Sequence, residues 1–557
     1  MKASDLFIRC LETEGIEYVF GVPGEENADF MMSLEASEEI RFVLTRHEQG
    51  AAFMAEVYGR LTGNPAVCLG TLGPGATNLL TGVADSNMDR APMLVVTGQG
   101  DTERLHKESH QVMDVVSMFR PVTKWAQTVR HPDNIPEIVR KAVRVARTEK
   151  PGACMVELPE DIAKRASGTE PIEVRKFRRP VPDDKILDRA WDAIRNARRP
   201  LILAGNGCIR RRASKQLRRF VEKTGIGVVN TFMAKGALDM DDPRCCFTVG
   251  LGSRDIPAVA LDKADLVISL GYDMVEYHPR LWNRGDQHKV VHFDFIPAEI
   301  DEHYRIQVEV VGDLAHSLWM LNERVDALDA DDPADALDFD HGHARWCREE
   351  MLEEFAAWAD DDATGTIKPQ KALWDARQVM GPDDLVLSDV GAHKMWIARY
   401  YQCHRPNTCL IPNGFCSMGF ALPGSIGASL VQPENRVLAI CGDAGFLMNV
   451  QEMETARRVG CDNLTCMVWQ DDAYGLIAWK QDNQFGRHTE LGFGNPDFVK
   501  LAEAFGWNGF RCEDSARLRD VLEASFQADG PSLVVIPIDY RENQALTERL
   551  GQIEVTI

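Results

Sequence analysis

The sequence predicts an α/β protein made of three doubly wound parallel-sheet domains. Three observations carry that expectation. Short apolar runs of strand length alternate with segments of helical periodicity almost throughout, the pattern of parallel strands joined by crossover helices. The runs include AVCLGTL, PMLVVTG, PLILAG, ADLVISLG, DLVLSDVG, RVLAICGD and LTCMVWQ. Two polar connectors, residues 164–184 and the acidic 326–343, interrupt the rhythm and set off units near 1–165, 185–340 and 365–545. Finally, a chain of 557 residues holds three or four domains at about 150 residues each.

Composition narrows the function classes. A hydrophobic content of 45% and a charged content of 26% suit an ordinary globular protein. The net charge of −23 speaks against a nucleic-acid or anionic-membrane partner, because phosphate binding needs clustered Lys and Arg. The one basic cluster, IRRRASKQLRR at 209–219, alternates with apolar residues and reads as a solvated helix face. Met1 leads straight into the amphipathic KASDLFIRCLETEG, without a signal peptide. The 14 cysteines form no CxxC pair, and Cys68 and Cys441 sit in apolar runs, which suggests reduced core thiols in a cytoplasm. Residues 64–84 and 406–433 carry no charge, but Gly and Pro break both. They read as buried strand–turn–helix segments and not as membrane spans.

In the third unit, VLAICGDAGFLMNVQEMETARRVG is a strand, a small-residue turn and a helix. Gly442, Ala444 and Gly445 let backbone N–H groups approach an anion, and the helix start adds its positive end. Asp443 would repel a phosphate directly, so its natural task there is to hold a cation such as Mg²⁺ between the two. A second strand, NLTCMVWQ, then delivers Asp471. Taken alone, Gly-Asp-x-Gly is more often an ordinary strand-to-helix turn. Two strand ends and two acids converging where α/β sheets bind ligands make a stronger case.

Residues 40–63, IRFVLTRHEQGAAFMAEVYGRLTG, predict a short strand, a turn and a small-residue helix closed by Gly63. Glu48 stands at the junction. It could simply complement the helix dipole. The Gly and Ala residues behind it also leave room for a ring to approach the backbone.

Together these segments resemble the thiamine-diphosphate (ThDP) enzymes, whose cofactor motif is Gly-Asp-Gly followed by a pair of Asn. Here the pair is Gln470–Asp471, a departure that still supplies an oxygen. The resemblance implies Asp443, Asp471 and the backbone carbonyl of Ala473 as Mg²⁺ ligands. TRHEQGAAFMAEVYGR closely resembles the acetolactate-synthase segment that carries the glutamate for the aminopyrimidine ring, and the match falls on Glu48. YVFGVPGEENADF and TLGPGATNLL resemble the rest of the pyrimidine-binding domain. They imply cofactor contacts at Pro23, Gly24, Pro74 and Asn78, with Gln111 of KESHQVMDVV lining the substrate pocket and, with Glu48, serving catalysis. In the third unit the implied cofactor contacts are Gly391, Ala392, His393, Met418 (the apolar wedge that bends ThDP), Asp443, Ala444, Gly445, Tyr474, Gly475, Leu476 and Ile477.

The resemblance spans nearly the whole chain and implies pyrimidine-binding (1–165), middle (185–340) and diphosphate-binding (365–545) domains. It also implies active sites shared between chains, hence a homodimer at least, with a homotetramer the expected assembly. The implied reaction decarboxylates pyruvate and condenses it with a second pyruvate to give 2-acetolactate and CO₂. The alternative is a 2-keto-acid decarboxylase releasing an aldehyde, but such enzymes carry an adjacent His-His pair, and in LHKESHQ the histidines stand four apart. A scaffold that kept the fold without chemistry is a further rival. Three departures matter. GYDMVEYHPRLWN at 271–283 replaces the flavin signature, so FAD is not expected. Lys480 stands where anabolic synthases place a tryptophan, with Trp479 one step earlier. Glu25 of PGEEN takes a position where the family has Gly or Ala.

Overall fold

A computed structural model describes residues 1–175, 178–210, 213–285, 287–329, 331–358 and 366–550. They form three six-stranded sheets, parallel throughout. The first sheet takes the strands Tyr18–Gly21, Arg41–Leu44, Ala66–Gly70, Met93–Gln99, Trp125–Thr128 and Ala153–Pro159. Numbered along the chain, they lie side by side in the order 2-1-3-4-6-5. The third sheet takes Leu385–Ser388, Cys409–Leu410, Val437–Gly442, Leu464–Gln470, Asn508–Arg511 and Ser532–Pro537, and it repeats that order. The middle sheet, from Pro200–Ala204 to Ile306–Val311, follows 3-2-1-4-5-6. Central strands such as Met93–Gln99 and Ala153–Pro159 are buried along their whole length. That is why they read as continuous apolar runs and not as alternating ones.

The helix Glu48–Thr62 forms as its sequence suggests. The His47 side chain accepts the Gln49 N–H at its start, and Gly63, at φ 72°, closes it in the left-handed conformation. One flank packs on the helix Pro74–Met88 and another on Ala421–Val431 of the third unit. The contact with Ala421–Val431 is backbone-close. A Cβ added at Gly427 would lie 2.6 Å from the Met54 carbonyl oxygen, and one at Gly424 would lie 2.9 Å from Val57 Cγ2. Phe53 meets Phe420 edge-on with ring centres 5.6 Å apart. The first and third units therefore share one hydrophobic core.

The middle unit is tied to the third by Arg399. This buried guanidinium pairs with Glu354 at 2.6 Å and Asp255 at 2.8 Å. Part of the basic segment behaves otherwise than its sequence suggests. Arg210 leaves the solvated face and pairs with Glu149 of the first unit at 3.2 Å, because that carboxylate lies within its reach across the domain boundary. Arg211 and Arg212 lie outside the described residues, while Lys215 and Arg219 are exposed on the helix Ala213–Thr224. All 14 cysteines are free thiols, and each is buried except the half-buried Cys416. No helix among the described residues is long and apolar enough to cross a membrane.

Gly427→Ala should therefore wedge the two helices apart. A destabilisation of about 1–3 kcal/mol is expected for such overpacking, read as a lower midpoint in urea unfolding followed by far-UV circular dichroism. An unchanged midpoint would mean the contact is looser than drawn.

Candidate active site

In doubly wound sheets, ligands sit beyond the carboxyl ends of the strands, where the strand order reverses. In the third sheet that point lies between Leu385–Ser388 and Val437–Gly442. A crevice opens there. It is lined by Gly391, Ala392, His393, Met418, Asp443, Ala444, Gly445, Asp471, Ala473, Tyr474, Gly475, Leu476 and Ile477, all singled out from the sequence.

Two acids shape it. Asp389, at the end of the first of these strands, accepts N–H bonds from Val390 (2.7 Å), Gly419 (2.9 Å) and Ala421 (3.1 Å). It thereby pins the loop that presents Met418. Burial raises its carboxyl to about 6, against the pull of those backbone donors. Asp443 holds the second loop: its Oδ2 accepts from the N–H groups of Asp472 (2.7 Å) and Asp471 (3.2 Å), and from Asn495 Nδ2 (2.7 Å). Burial, and then the facing charge of Asp443, push the Asp471 carboxyl up; burial likewise raises Asp443. Two facing carboxylates, neither stable as an anion beside the other, form a seat that a divalent cation would relieve.

His393 is fully enclosed and neutral, because burial lowers it to about 3. Its ring lies against two glycines; a Cβ at Gly391 would fall 2.6 Å from Cε1 and one at Gly442 3.1 Å. Its Nε2 has no hydrogen-bond partner among the described residues. A buried, unsatisfied nitrogen on the crevice wall calls for a polar ligand atom.

Glu48, Asn78, Pro74, Gln111, Pro23 and Gly24 do not line this crevice. They gather instead beyond the matching reversal point of the first sheet, between Tyr18–Gly21 and Ala66–Gly70. Asn78 Nδ2 donates to Glu48 Oε2 at 2.9 Å. A Cβ at Gly75 would lie 3.2 Å from Glu48 Oε1, and one at Gly24 would lie 2.5 Å from Thr71. Gln111 is exposed at φ 58°, with its carbonyl oxygen against Gly73. Pro23, Glu25 and Pro74 are exposed in the single chain.

Asn495, Asp389 and Glu452 escape the sequence reading. Glu452, from the third unit, accepts the N–H groups of Arg46 (3.1 Å) and His47 (3.0 Å) and so fixes the turn that presents Glu48. Asn495 sits in a loop with no periodic pattern to place it. Trp479 turns into the core, where its Nε1 donates to Thr547 Oγ1 at 2.8 Å, while Lys480 beside it is half-buried and feels the charge of Lys394.

Comparison with known proteins agrees along the whole chain. Residues 1–118 match the N-terminal TPP binding domain of thiamine pyrophosphate enzymes, residues 187–321 their central domain, and residues 389–536 their C-terminal TPP binding domain. An acetolactate synthase of Bacillus subtilis is 34% identical over 97% of this chain and 94% of its own. A catabolic acetolactate synthase of Raoultella terrigena is 36% identical over 99% and 97%. The chloroplastic acetolactate synthase 1 of Nicotiana tabacum is 31% identical over 97% and 82%.

Asn495→Ala removes one donor to Asp443. Hydrogen bonds to charged groups are worth about 1.5–3 kcal/mol, so the variant should bind Mg²⁺ at least about tenfold more weakly in calorimetry with ThDP present. Unchanged binding would move the cation seat elsewhere.

Proposed function

The chain belongs to the thiamine pyrophosphate enzyme family, and from that premise we propose that it decarboxylates pyruvate and condenses it with a second pyruvate to form 2-acetolactate. The observation that carries this reading is the acid pair Asp443–Asp471 beside the unsatisfied His393 in one crevice, with Glu48 presented at the equivalent reversal point of the first sheet. The residues fit the cofactor. ThDP, when bound, supplies the electron sink into which CO₂ can be lost from a 2-keto acid. Gly442, Ala444 and Gly445 offer it backbone N–H groups, and His393 offers its open nitrogen. Asp443, Asp471 and the Ala473 carbonyl would hold Mg²⁺ against the diphosphate. Met418, Leu476 and Ile477 would form the apolar wall against the cofactor, with Tyr474 and Gly475 beside them in the crevice lining.

Glu48 has two tasks in this reading. It would hold the aminopyrimidine ring through a hydrogen bond and hold or pass the proton exchanged at the reacting carbon. Asn78 orients it, and Glu452 holds its turn in place. Gln111 orients substrate. Because Glu48 and Asp443 face different crevices of one chain, a second copy would bring the two half-sites together. Phe415, Tyr474 and Ile477, 39–45% exposed at the rim, are the apolar surface such a dimer would cover; pairing of dimers into a tetramer extends the same proposal. The domain limits 1–165, 185–340 and 365–545 belong to it as well. So does a cytoplasmic setting, which free thiols favour.

The flavin-free reading rests on GYDMVEYHPRLWN at 271–283, which stands in place of the flavin signature. At the reversal point of the middle unit Glu276 accepts from the Asn206 N–H at 3.0 Å and from Thr231 Oγ1. Gly207 packs against Gly271, where a Cβ would lie 2.6 Å from Gly271 Cα.

Purified protein with pyruvate, ThDP and Mg²⁺, followed by NMR without acidification, should give 2-acetolactate as the main product. Dominant acetaldehyde would favour the decarboxylase instead. Glu48→Gln should lower turnover about 10²–10⁴-fold, the usual effect of a positioned acid–base group, while circular dichroism stays unchanged. Near-normal turnover with ThDP bound would take Glu48 out of this role.

A further inference from the structure

One cation on the crevice wall has no part in the reaction as described so far. Lys394 is 3% exposed and lines the same crevice as the acid pair. Consecutive residues on a helix point about 100° apart. The ring of His393 therefore lies against Gly442 while the ammonium of Lys394 turns the other way. Its Nζ donates to Cys416 Sγ at 3.0 Å and sits 5.9 Å from the ring centre of Phe232 in the middle unit. No carboxylate among the described residues lies within 4.0 Å of it. Asp89, which feels its charge, is already occupied by Arg60 at 3.3 Å and by the N–H groups of Asn413 and Gly414.

Cys416 does not neutralise Lys394. Its thiol can donate to the Asn413 carbonyl oxygen at 3.0 Å, and burial keeps it protonated despite the nearby ammonium. Lys480, half-buried on the helix Gly475–Phe485, faces the same pair. Burial lowers its ammonium, Cys416 opposes that, and the like charge of Lys394 adds to it. Lys394 is thus a buried cation on the crevice wall without a fixed counter-ion, and Lys480 lies near enough to feel its charge. An unpaired buried charge is costly, and an incoming carboxylate would offset the cost with a charge-assisted hydrogen bond.

We propose that Lys394, with Lys480, forms the subsite that takes the carboxylate of the acceptor 2-keto acid. The inference rests on the carboligase reading and deepens it: a charged acceptor is held on the side of the crevice away from the diphosphate seat. A neutral aldehyde gains nothing from these lysines, so they favour a 2-keto acid as acceptor.

The test compares wild-type holoenzyme with Lys394→Gln, Lys480→Gln and Lys394→Arg. The probes are pyruvate turnover, ThDP affinity by calorimetry, and calorimetric titration of oxamate, a carboxylate of pyruvate's shape that does not react. Losing a hydrogen bond to a charged group corresponds to about tenfold or more in affinity. Both Gln variants should raise KM for pyruvate and weaken oxamate by that factor, while ThDP affinity changes less than about twofold. Lys394→Arg should restore most of the oxamate affinity, and use of acetaldehyde as acceptor should not suffer. Unchanged oxamate affinity and KM in both Gln variants would overturn the proposal. So would a loss of ThDP affinity in Lys394→Gln, which would assign the lysine to the diphosphate. If Lys394→Gln does not fold, Lys480→Gln reads the same subsite. Wild-type protein that makes no 2-acetolactate would remove the reaction assigned above, while the oxamate titration would still judge the lysines.

Discussion

The structure depends on the contact between the helices Glu48–Thr62 and Ala421–Val431. It is close because Gly424 and Gly427 of the second helix have no side chains to hold off Val57 and the Met54 backbone of the first. Burying that surface merges two domains into one core and adds the dispersion and hydrophobic terms of both. It also brings Glu452 of the third unit against the turn at Arg46 and His47, where a Cβ at Gly50 would lie 2.8 Å from the Glu452 carboxylate. The residue at the junction, Glu48, is thereby held by a domain other than its own.

The two outer domains that meet there carry the same strand order. Each places its reversal point at the carboxyl ends of its first and third strands, and each leaves small residues there: Gly24, Gly73 and Gly75 in one, Gly391, Gly442 and Gly445 in the other. One half presents a carboxylate and an amide; the other presents an acid pair, a neutral histidine and a buried lysine. Neither half closes a site alone within the single chain. At the reversal point of the middle sheet Glu276 binds the Asn206 N–H and Gly207 packs on Gly271, and the ring of Phe232 lies 5.9 Å from the Lys394 ammonium.

Electrostatics divides the crevice in two. On the side of the strand ends, Asp443 and Asp471 repel one another and are suited to a cation and, through it, to phosphate. On the side facing the middle domain the ammonium of Lys394 lies between Cys416 and Phe232 with no carboxylate paired to it, which suits the carboxylate proposed above. The two halves want opposite partners. A ligand with a diphosphate at one end and a 2-keto acid bound near its other end meets both demands, whereas a simple nucleotide would leave the lysine side unmatched.

The sequence by itself determined much of this. Continuous apolar runs located the central strands because both faces of a parallel sheet are buried and need no polar alternation. The short edge strand Cys409–Leu410 lacks that signature. Glu48, Asp443 and Asp471 were legible because each stands at a junction of strand and helix, a position local pattern can reveal, and His393 because its neighbours match a known motif. Other features belonged to tertiary structure alone. Asn495 reaches Asp443 from a loop with no periodicity, and Glu452 reaches the Glu48 turn across a domain boundary. Arg210 exchanges water for Glu149, and nothing in the local sequence sets Lys394 apart from its neighbours. The physical reason is the same in each case. Periodicity reports which face of an element is buried, but the partner that a buried charge finds is set by elements distant in the chain, and only packing brings them within hydrogen-bond reach.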